Sequence, residues 1–598
     1  MKVAKVILPI ALDKAFDYLM PDSMSLAKGM RVLVDFGVKK RVGIVVGLSK
    51  KSSQPKLKSI IKALDHTPSL DKDQLEFAKA LTKMYPYGLG EFLFMMLPSA
   101  LKRSGQLILE EVPAEKIKER PQRLEKSFIE AKSFVERYSL WKDSVKEKLK
   151  EGSVLVCFPQ LEYLKEALKV IEKDFPGKVK VIHSQKSQAQ ILKLWKESRH
   201  NTLLVGSRVA LFYYPCDLAL CVIEEENSPY YFQAEKPYHH LLDVAHLLCE
   251  IKGSDLILSA DYPTLATYEK IKENKIKLKR KGQAIKNIRV VEIGEASRRK
   301  VISPLARELM RKNLEANKRM VVLWHRKGFG KVVSCNACGY IITCDRCSGF
   351  LKTTLKEEHK GICFYCGSKK DLPSICPQCK KGYLRTSGLG IEKMEVILKG
   401  IFPEAKICSW EERKPDSQIV VSGAKILSSL YGQDNFDVGF FLDVDNFLSR
   451  IDYEAAFDTF IYLEKLSHFF KDTFYVFSRN SNHYLFRNIQ KKWEDFYQTE
   501  VALRKELYLP PFGALAKIIL RAPNQKSLFK KCENLYNKLK GRKLEVYGPF
   551  EEYPFQLRGN FRYSLIIKSK KSTQLRKIMK EEVGRLRRAG IKIAAVIK

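Results

Sequence analysis

Eight cysteines set as four CxxC pairs constrain this chain more than any other feature: Cys335/Cys338, Cys344/Cys347, Cys363/Cys366 and Cys376/Cys379. Two thiolates separated by two residues can turn toward one ion at about 2.3 Å each, and two such knuckles complete a tetrahedron. Residues 348–362 separate Cys347 from Cys363, which is the spacing of a four-cysteine zinc site. The inner pairs are therefore expected to share one Zn2+, and the outer pairs, Cys335/Cys338 and Cys376/Cys379, a second, in a nested arrangement. Sulfur would fill every valence and leave no open position for water, so both sites are expected to be structural rather than catalytic. Disulfides or a redox CxxC are the competing readings, but four repeated pairs exceed what one redox motif needs. Cys157, Cys216, Cys221, Cys249, Cys408 and Cys532 are scattered in apolar contexts and read as core residues.

With 598 residues the chain is too long for one core, and three to five domains are expected. No apolar run is long enough to cross a membrane. The apolar run near the N-terminus is broken by Asp13, Lys14 and Asp17, with no small-residue cleavage site after it, so a cytoplasmic protein is expected. Lys and Arg outnumber Asp and Glu by 107 to 68, a net charge of +39. Such an excess repels itself unless a polyanion neutralises part of it, which points to nucleic acid as partner. A Lys-biased composition with no binding role is the plainer alternative, though it does not account for the shortage of acids. Composition does not separate DNA from RNA.

Along the chain, residues 1–66 alternate short β-rich runs (VAKVILPI, RVLVDF, RVGIVVGL) with Gly29, Gly37, Gly43 and Gly47, which suggests a small β-barrel-like module. Residues 115–151 are charged and helical in pattern, with no glycine between Gly105 and Gly152. From 153 onward the runs SVLVCF, KVKVIH, TLLVG, LALCVIE and DLILSA alternate with helical segments, as in a parallel sheet with crossover helices. A second such unit spans roughly 318–480 and is interrupted by the cysteines. After PPFG at 510–513, a β-α-β-like pattern predicts a small α+β domain.

These pieces, in this order, resemble the primosomal protein N′ family of replication-restart helicases. ALDKAFDYLMP, GMRVLVDFG and KRVGIVV look like the family's opening domain. SRVALFYYPCDLALCVIEEENSPYYFQ looks like the stretch through its second helicase motif. HRKGFG, the four CxxC pairs and GLGIEK look like its motor with a zinc insert, while LRKELYLPPFGALAKI and VYGPFEEYPFQLRGNFRY match its C-terminal domain. The resemblance implies a multidomain α/β protein with six parts. These are a 3′-end DNA-binding domain over 1–100, a helical linker over 101–151 in place of a winged helix and phosphate loop, and a first RecA-like lobe over 152–317. A second lobe follows over 318–334 and 381–490, with a two-zinc insert over 335–380 and a C-terminal domain over 491–598. It also implies binding to stalled or branched forks, 3′ to 5′ unwinding with ATP, and partnership with helicase-loading proteins and single-stranded DNA-binding protein, in the cytoplasm at the nucleoid. Positions matching the family's 3′-end pocket are Phe16, Asp17, Gly37 and Lys58. A phenyl ring can stack on a terminal base, a carboxylate can accept from a sugar hydroxyl, glycine admits close backbone approach and lysine can meet phosphate. Read without the family, Phe16 would be core and Asp17 a turn residue. Arg558 and Arg562, beside Gly559, match a stretch the family uses near DNA; their plain reading is a solvated β-edge.

The chain departs from the family where nucleotide chemistry is expected. A GxxxxGK[ST] loop, whose successive N–H groups wrap phosphate, is absent from the glycine-free stretch before SVLVCF. The second motif, expected as Asp-Glu-Glu-His, reads Glu224, Glu225, Glu226, Asn227. The third, Ser-Ala-Thr, reads Ser259, Ala260, Asp261. The sixth, Gly-Arg-rich and carrying an arginine finger, would follow the aromatic helix near 460, yet no glycine occurs between Gly439 and Gly513. A phosphate-loop lysine and an arginine finger are each worth orders of magnitude in rate. The expectation is a fork-binding scaffold with zinc but without ATP and Mg2+. The two rivals are an active helicase and an RNA- or ribosome-binding protein.

Overall fold

The computed structural model describes the chain except residues 1, 11–13, 53, 106–123, 281–286, 295–300, 325–331, 336, 339, 341, 347–350, 355–356, 364–365, 388–390, 424–425, 427–435, 451 and 543. HRKGFG, the glycines of GLGIEK and Cys347 lie outside the described residues. Two compact units form, one from 1–282 with 513–518 and 567–598, the other from 283–512 with 519–566.

The first unit opens with a five-stranded antiparallel sheet in the order Phe16–Met20, Lys2–Ile7, Lys39–Ser49, Arg31–Phe36, Ile60–Ala63. Its two end strands meet: the Leu19 N–H donates to the Lys58 carbonyl at 2.9 Å and Leu19 bridges Ser59, so the sheet curls closed. Alternation does the sorting, with Ala4, Val6, Tyr18, Val32, Val34 and Val45 pointing inward. Phe36 pairs with Lys39 across a two-residue turn whose first residue, Gly37, has φ +60. A Cβ is disfavoured there, and such turns match the strand twist. Arg31 is buried, bound to the Asp65 carboxylate and, through Nη1, to the Leu101 carbonyl at 2.7 Å, which ties the barrel to the helical segment behind it.

A seven-stranded parallel sheet follows, in the order Lys277–Arg280, Lys126–Glu130, Asp255–Ala260, Leu218–Glu224, Ser153–Cys157, Leu203–Gly206, Val179–Ile182. Every residue of Leu218–Glu224 is buried, as a strand covered on both faces must be. Here the helical reading of 115–151 is corrected. Among its described residues, Lys126–Glu130 is a strand, and the helix starts only at Phe134 and runs to Glu151. Burial of Ser127, Phe128, Ile129 and Glu130 selects the strand over local helical preference. Ser133 caps the helix, accepting from the Glu136 N–H while the Glu136 carboxylate accepts from the Ser133 N–H.

The second unit holds a six-stranded parallel sheet in the order Ile288–Glu292, Phe470–Ser478, Phe436–Phe441, Met320–Leu323, Ile419–Ser422, Ile407–Ser409. Ile288–Glu292, assigned from sequence to the first lobe, pairs with Phe470–Ser478 and joins this sheet. A five-stranded antiparallel sheet carries the cysteine insert, in the order Lys369–Asp371, Glu357–Cys363, Leu351–Thr354, Val332–Cys335, Leu384–Ser387. The C-terminal sheet runs Glu545–Leu557, Asn560–Ser569, Ala514–Ala522, Lys592–Ile597, with helices Gln525–Lys540 and Ser572–Arg588. Leu528, Cys532, Leu535 and Leu539 bury one face of the first of these helices.

Candidate functional site

The strand Val332–Cys335 ends on a cysteine, and its chain then turns so that the Ala337 and Cys338 N–H groups donate to the Cys335 sulfur at 3.3 and 3.5 Å. That turn is a knuckle. Its counterpart, Cys376 and Cys379, faces it, with Cys335 Sγ 3.6 Å from Cys379 Sγ and Cys338 Sγ 3.8 Å from Cys376 Sγ. Four sulfurs at 2.3 Å from one centre would stand about 3.8 Å apart, whereas a disulfide needs about 2.05 Å. All four ligand atoms lie within 4.8 Å of one another, and so do those of Cys344, Cys363 and Cys366. Cys344 and Cys366 are 3.6 Å apart at sulfur; Cys347, the remaining member, is outside the described residues. Among the described residues, then, two cysteine groups form that could each hold a metal ion, the outer four together and three of the inner four together. The Lys381 and Gly382 N–H groups lower the Cys379 thiol to about 6. Cys338 goes the other way, to about 12, because the help of the Tyr340 N–H is outweighed by burial and by the sulfurs of Cys379, Cys335 and Cys376. One thiolate forms readily and its neighbours then resist, which is the charge problem a divalent cation solves.

In the barrel, Phe16, Asp17, Gly37 and Lys58 come from three places in the sequence to one end of the sheet. Lys58 Nζ donates to the Gly37 carbonyl at 3.2 Å, and the Phe16 ring meets Phe36, the neighbour of Gly37, edge-on at 5.1 Å. Gly37 and Lys58 are exposed, Phe16 and Asp17 half-buried. No atom lies within 4 Å of a Cβ built on Gly37. Asp17 accepts from Ser52 Oγ at 2.6 Å.

The parallel sheet of the first unit brings the altered second motif beside the loop where a phosphate loop would stand. Strand Lys126–Glu130 leads through Ala131, Lys132 and Ser133 into the helix from Phe134, a turn with no glycine. From the first turn of that helix Arg137, 1% exposed, reaches back across the motif. Its Nε donates to Glu224 and its Nη2 to Glu225, each at 2.5 Å, while Nη1 donates to the Ala131 and Lys132 carbonyls at 3.0 and 3.1 Å. The turn therefore presents carbonyl oxygens to an internal cation, where phosphate would need N–H groups. Glu224 is fully buried, and burial raises its pKa although Arg137 opposes the rise. Glu226 accepts from the Thr264 N–H at 2.6 Å and from Thr267 Oγ1 at 3.1 Å; burial lifts it to about 7. Asn227 Nδ2 donates to Asp261 Oδ1 at 2.9 Å, so the altered second and third motifs hold each other. In the second unit, helix Ala455–Ser467 passes through His468 and a buried Phe469 directly into strand Phe470–Ser478, with no arginine at the junction. Arg137 had no sequence signal, since its partners lie far along the chain.

The expectation for Arg558 and Arg562 divides. Arg558 and Gly559, with φ +50 and +72, form the exposed tip of the hairpin joining Glu545–Leu557 to Asn560–Ser569. Arg562 is buried and turned inward, donating to the Pro554 carbonyl at 3.1 Å, with Glu552 3.8 Å away. Of Tyr230, Tyr231 and Phe232, only Tyr230 is exposed. Tyr231 is buried, its hydroxyl donating to the Glu224 carbonyl at 2.5 Å.

A curled N-terminal sheet followed along the chain by two parallel sheets, with a cysteine insert in the second of these segments, defines a multidomain α/β protein. Residues 5–98 match the family described as the PriA 3′ DNA-binding domain, and residues 505–595 the primosomal protein N C-terminal domain. Over nearly its whole length the chain is similar to curated PriA proteins. It is 23% identical to the replication restart protein PriA of Haemophilus influenzae over 97% of each chain, and 26% identical to that of Borreliella burgdorferi over 89% of this chain and 87% of that one. Among solved structures, yeast Dbp5 bound to RNA and ADP BeF3 aligns with 69% of this chain and 97% of its own, at 10% identity and a TM-score of 0.32, a likeness too loose to add to the fold.

Proposed function

We propose that this chain is a replication restart protein that binds stalled or branched DNA, takes up a 3′ end in its N-terminal barrel and does not hydrolyse ATP. Its insert holds two structural Zn2+, one at Cys335, Cys338, Cys376 and Cys379, the other at Cys344, Cys347, Cys363 and Cys366. The observation that carries the scaffold reading is Arg137. Its guanidinium, always charged, takes up the carboxylates of Glu224 and Glu225, the two residues that stand where the family would hold magnesium and direct water. Phe16, Asp17, Gly37 and Lys58 supply the end pocket, Arg558 a phosphate contact at a hairpin tip, and the +39 charge the general attraction to DNA. With the motor silent, the chain works by recognising the fork and recruiting helicase-loading proteins.

The test is ATP hydrolysis by the zinc-loaded protein with and without a fork bearing a free 3′ end, together with anisotropy on the same fork. Binding without turnover supports the proposal; fork-stimulated turnover refutes it. Equal affinity for structured RNA at the same salt would favour the RNA-binding reading instead.

A further inference from the structure

The outer cysteine group carries a feature that the fork-end pocket does not use. Each of its two knuckles is followed by an exposed tyrosine, Tyr340 after Cys338 and Tyr383 after Cys379, at 36% and 59% exposure, with Ile375 at 58% pairing across from Tyr383. The backbone fixes both: the Cys335 N–H donates to the Tyr340 carbonyl and the Cys376 N–H to the Gly382 carbonyl, each at 2.8 Å. Sulfur contacts of 3.6 and 3.8 Å hold the knuckles against each other and bring the two tyrosines onto one small module. Lys380 and Lys381, both exposed, lie between the second knuckle and Tyr383. Neither segment, 331–344 nor 374–387, contains an Asp or Glu, while together they carry Lys331, Lys380, Lys381 and Arg385.

We infer that this face binds single-stranded nucleic acid, with Tyr340 and Tyr383 as stacking platforms and Lys380 and Lys381 meeting the phosphates. Aromatic rings accept any base face, and cations along the path give affinity without sequence preference. The chain offers an internal contrast. Its other run of exposed aromatics, Tyr547, Phe550 and Tyr553, is interleaved with exposed Glu545 and Glu551, which would repel phosphate. The absence of acids from the two knuckle segments sets their tyrosines apart from that edge. The inference rests on the cysteine group holding its metal, because the knuckles fix the spacing of the two rings.

The experiment uses the full-length, zinc-loaded protein, a fluorescein-labelled oligo-dT of roughly 15 nucleotides, and a blunt duplex as the 3′-end probe for Phe16. The double variant Tyr340→Ala with Tyr383→Ala is expected to bind oligo-dT at least about 30-fold more weakly, the effect of two lost base stacks, keep two zinc per chain, and bind the duplex end as before. Replacing Lys380 and Lys381 by glutamine should flatten the log–log salt dependence for the single strand by about 1.4, from about 0.7 for each phosphate contact. If alanine variants lose zinc, Tyr383→Leu decides, since it keeps apolar bulk and removes the ring. Wild-type oligo-dT affinity in a zinc-loaded tyrosine variant overturns the inference and leaves the exposed pair as a protein-docking face. A Phe16→Ala variant that loses the duplex end but keeps oligo-dT separates this site from the barrel pocket.

Discussion

Removing Arg137 is the sharpest perturbation of the first parallel-sheet lobe. Arg137→Ala deletes two buried ion pairs at 2.5 Å and two hydrogen bonds to the Ala131 and Lys132 carbonyls, and it strands Glu224 and Glu225, 0% and 4% exposed, without their cation. Breaking one buried pair by deleting a partner costs about 3–5 kcal/mol. Protonation of a stranded glutamate caps the loss, so about 4 kcal/mol is expected near neutral pH. For a transition of this size that lowers Tm by roughly 8–15 °C. The pH sign follows from Glu224, whose folded pKa is already raised by burial. An acid with a raised folded pKa contributes most stability below its unfolded value and loses that contribution as pH rises through the folded one. Without Arg137 the rise is larger, so the gap between variant and wild type should widen from pH 5.5 to pH 7.5. Scanning calorimetry at both pH values checks it. Adding Glu224→Gln and Glu225→Gln to Arg137→Met should recover most of the lost stability, because an apolar and amide set no longer buries unpaired charge. A single variant within about 1 °C of wild type, or a gap independent of pH, refutes the pairing and with it the main support for a silent motor.

Three other outcomes are expected. Phe16→Ala should weaken binding of a 3′-ended fork about 5- to 100-fold, the range of one lost base stack; an unchanged fork Kd would remove the barrel end as the binding site. Metal analysis should find two zinc per chain, one after Cys335→Ser and one after Cys363→Ser, and a strong chelator should unfold the insert; a single zinc in the wild type would break the nested assignment. Glu226, lifted to about 7 from 4.5, should favour the folded state fully below pH 4.5 and lose up to about 3 kcal/mol of that as pH rises through 7. Glu226→Gln should therefore flatten the stability profile between pH 5 and 8, and a profile of unchanged slope would count against a buried, proton-holding Glu226.

The outer cysteine group, the alternation that builds the curled N-terminal sheet and the apolar runs of the two parallel sheets were all legible in the residues, because ligand spacing and strand period are local properties of a chain. The departures from a nucleotide-binding loop were equally legible, since a missing glycine needs no coordinates to be seen. Two readings needed the fold. Residues 126–130, KSFIE, carry two adjacent apolar residues in a charged run and follow the helical pattern around them; only the slot between Asp255–Ala260 and Lys277–Arg280 makes them a strand. Arg562 looks like a surface group in a basic stretch, yet burial turns it toward a backbone carbonyl.

Arg137 marks the boundary between the two kinds of information. Its partners Glu224 and Glu225 lie 87 and 88 residues away, and nothing within a helical turn distinguishes it from a solvated arginine. The sequence alone determined which groups are available: thiolates at ligand spacing, an excess of cations, and no GxxxxGK[ST] segment. Only the tertiary structure decided which charges meet in the dark of the sheet, because pairing across a parallel sheet depends on strand order, and strand order is set by burial of the whole lobe rather than by any neighbour along the chain.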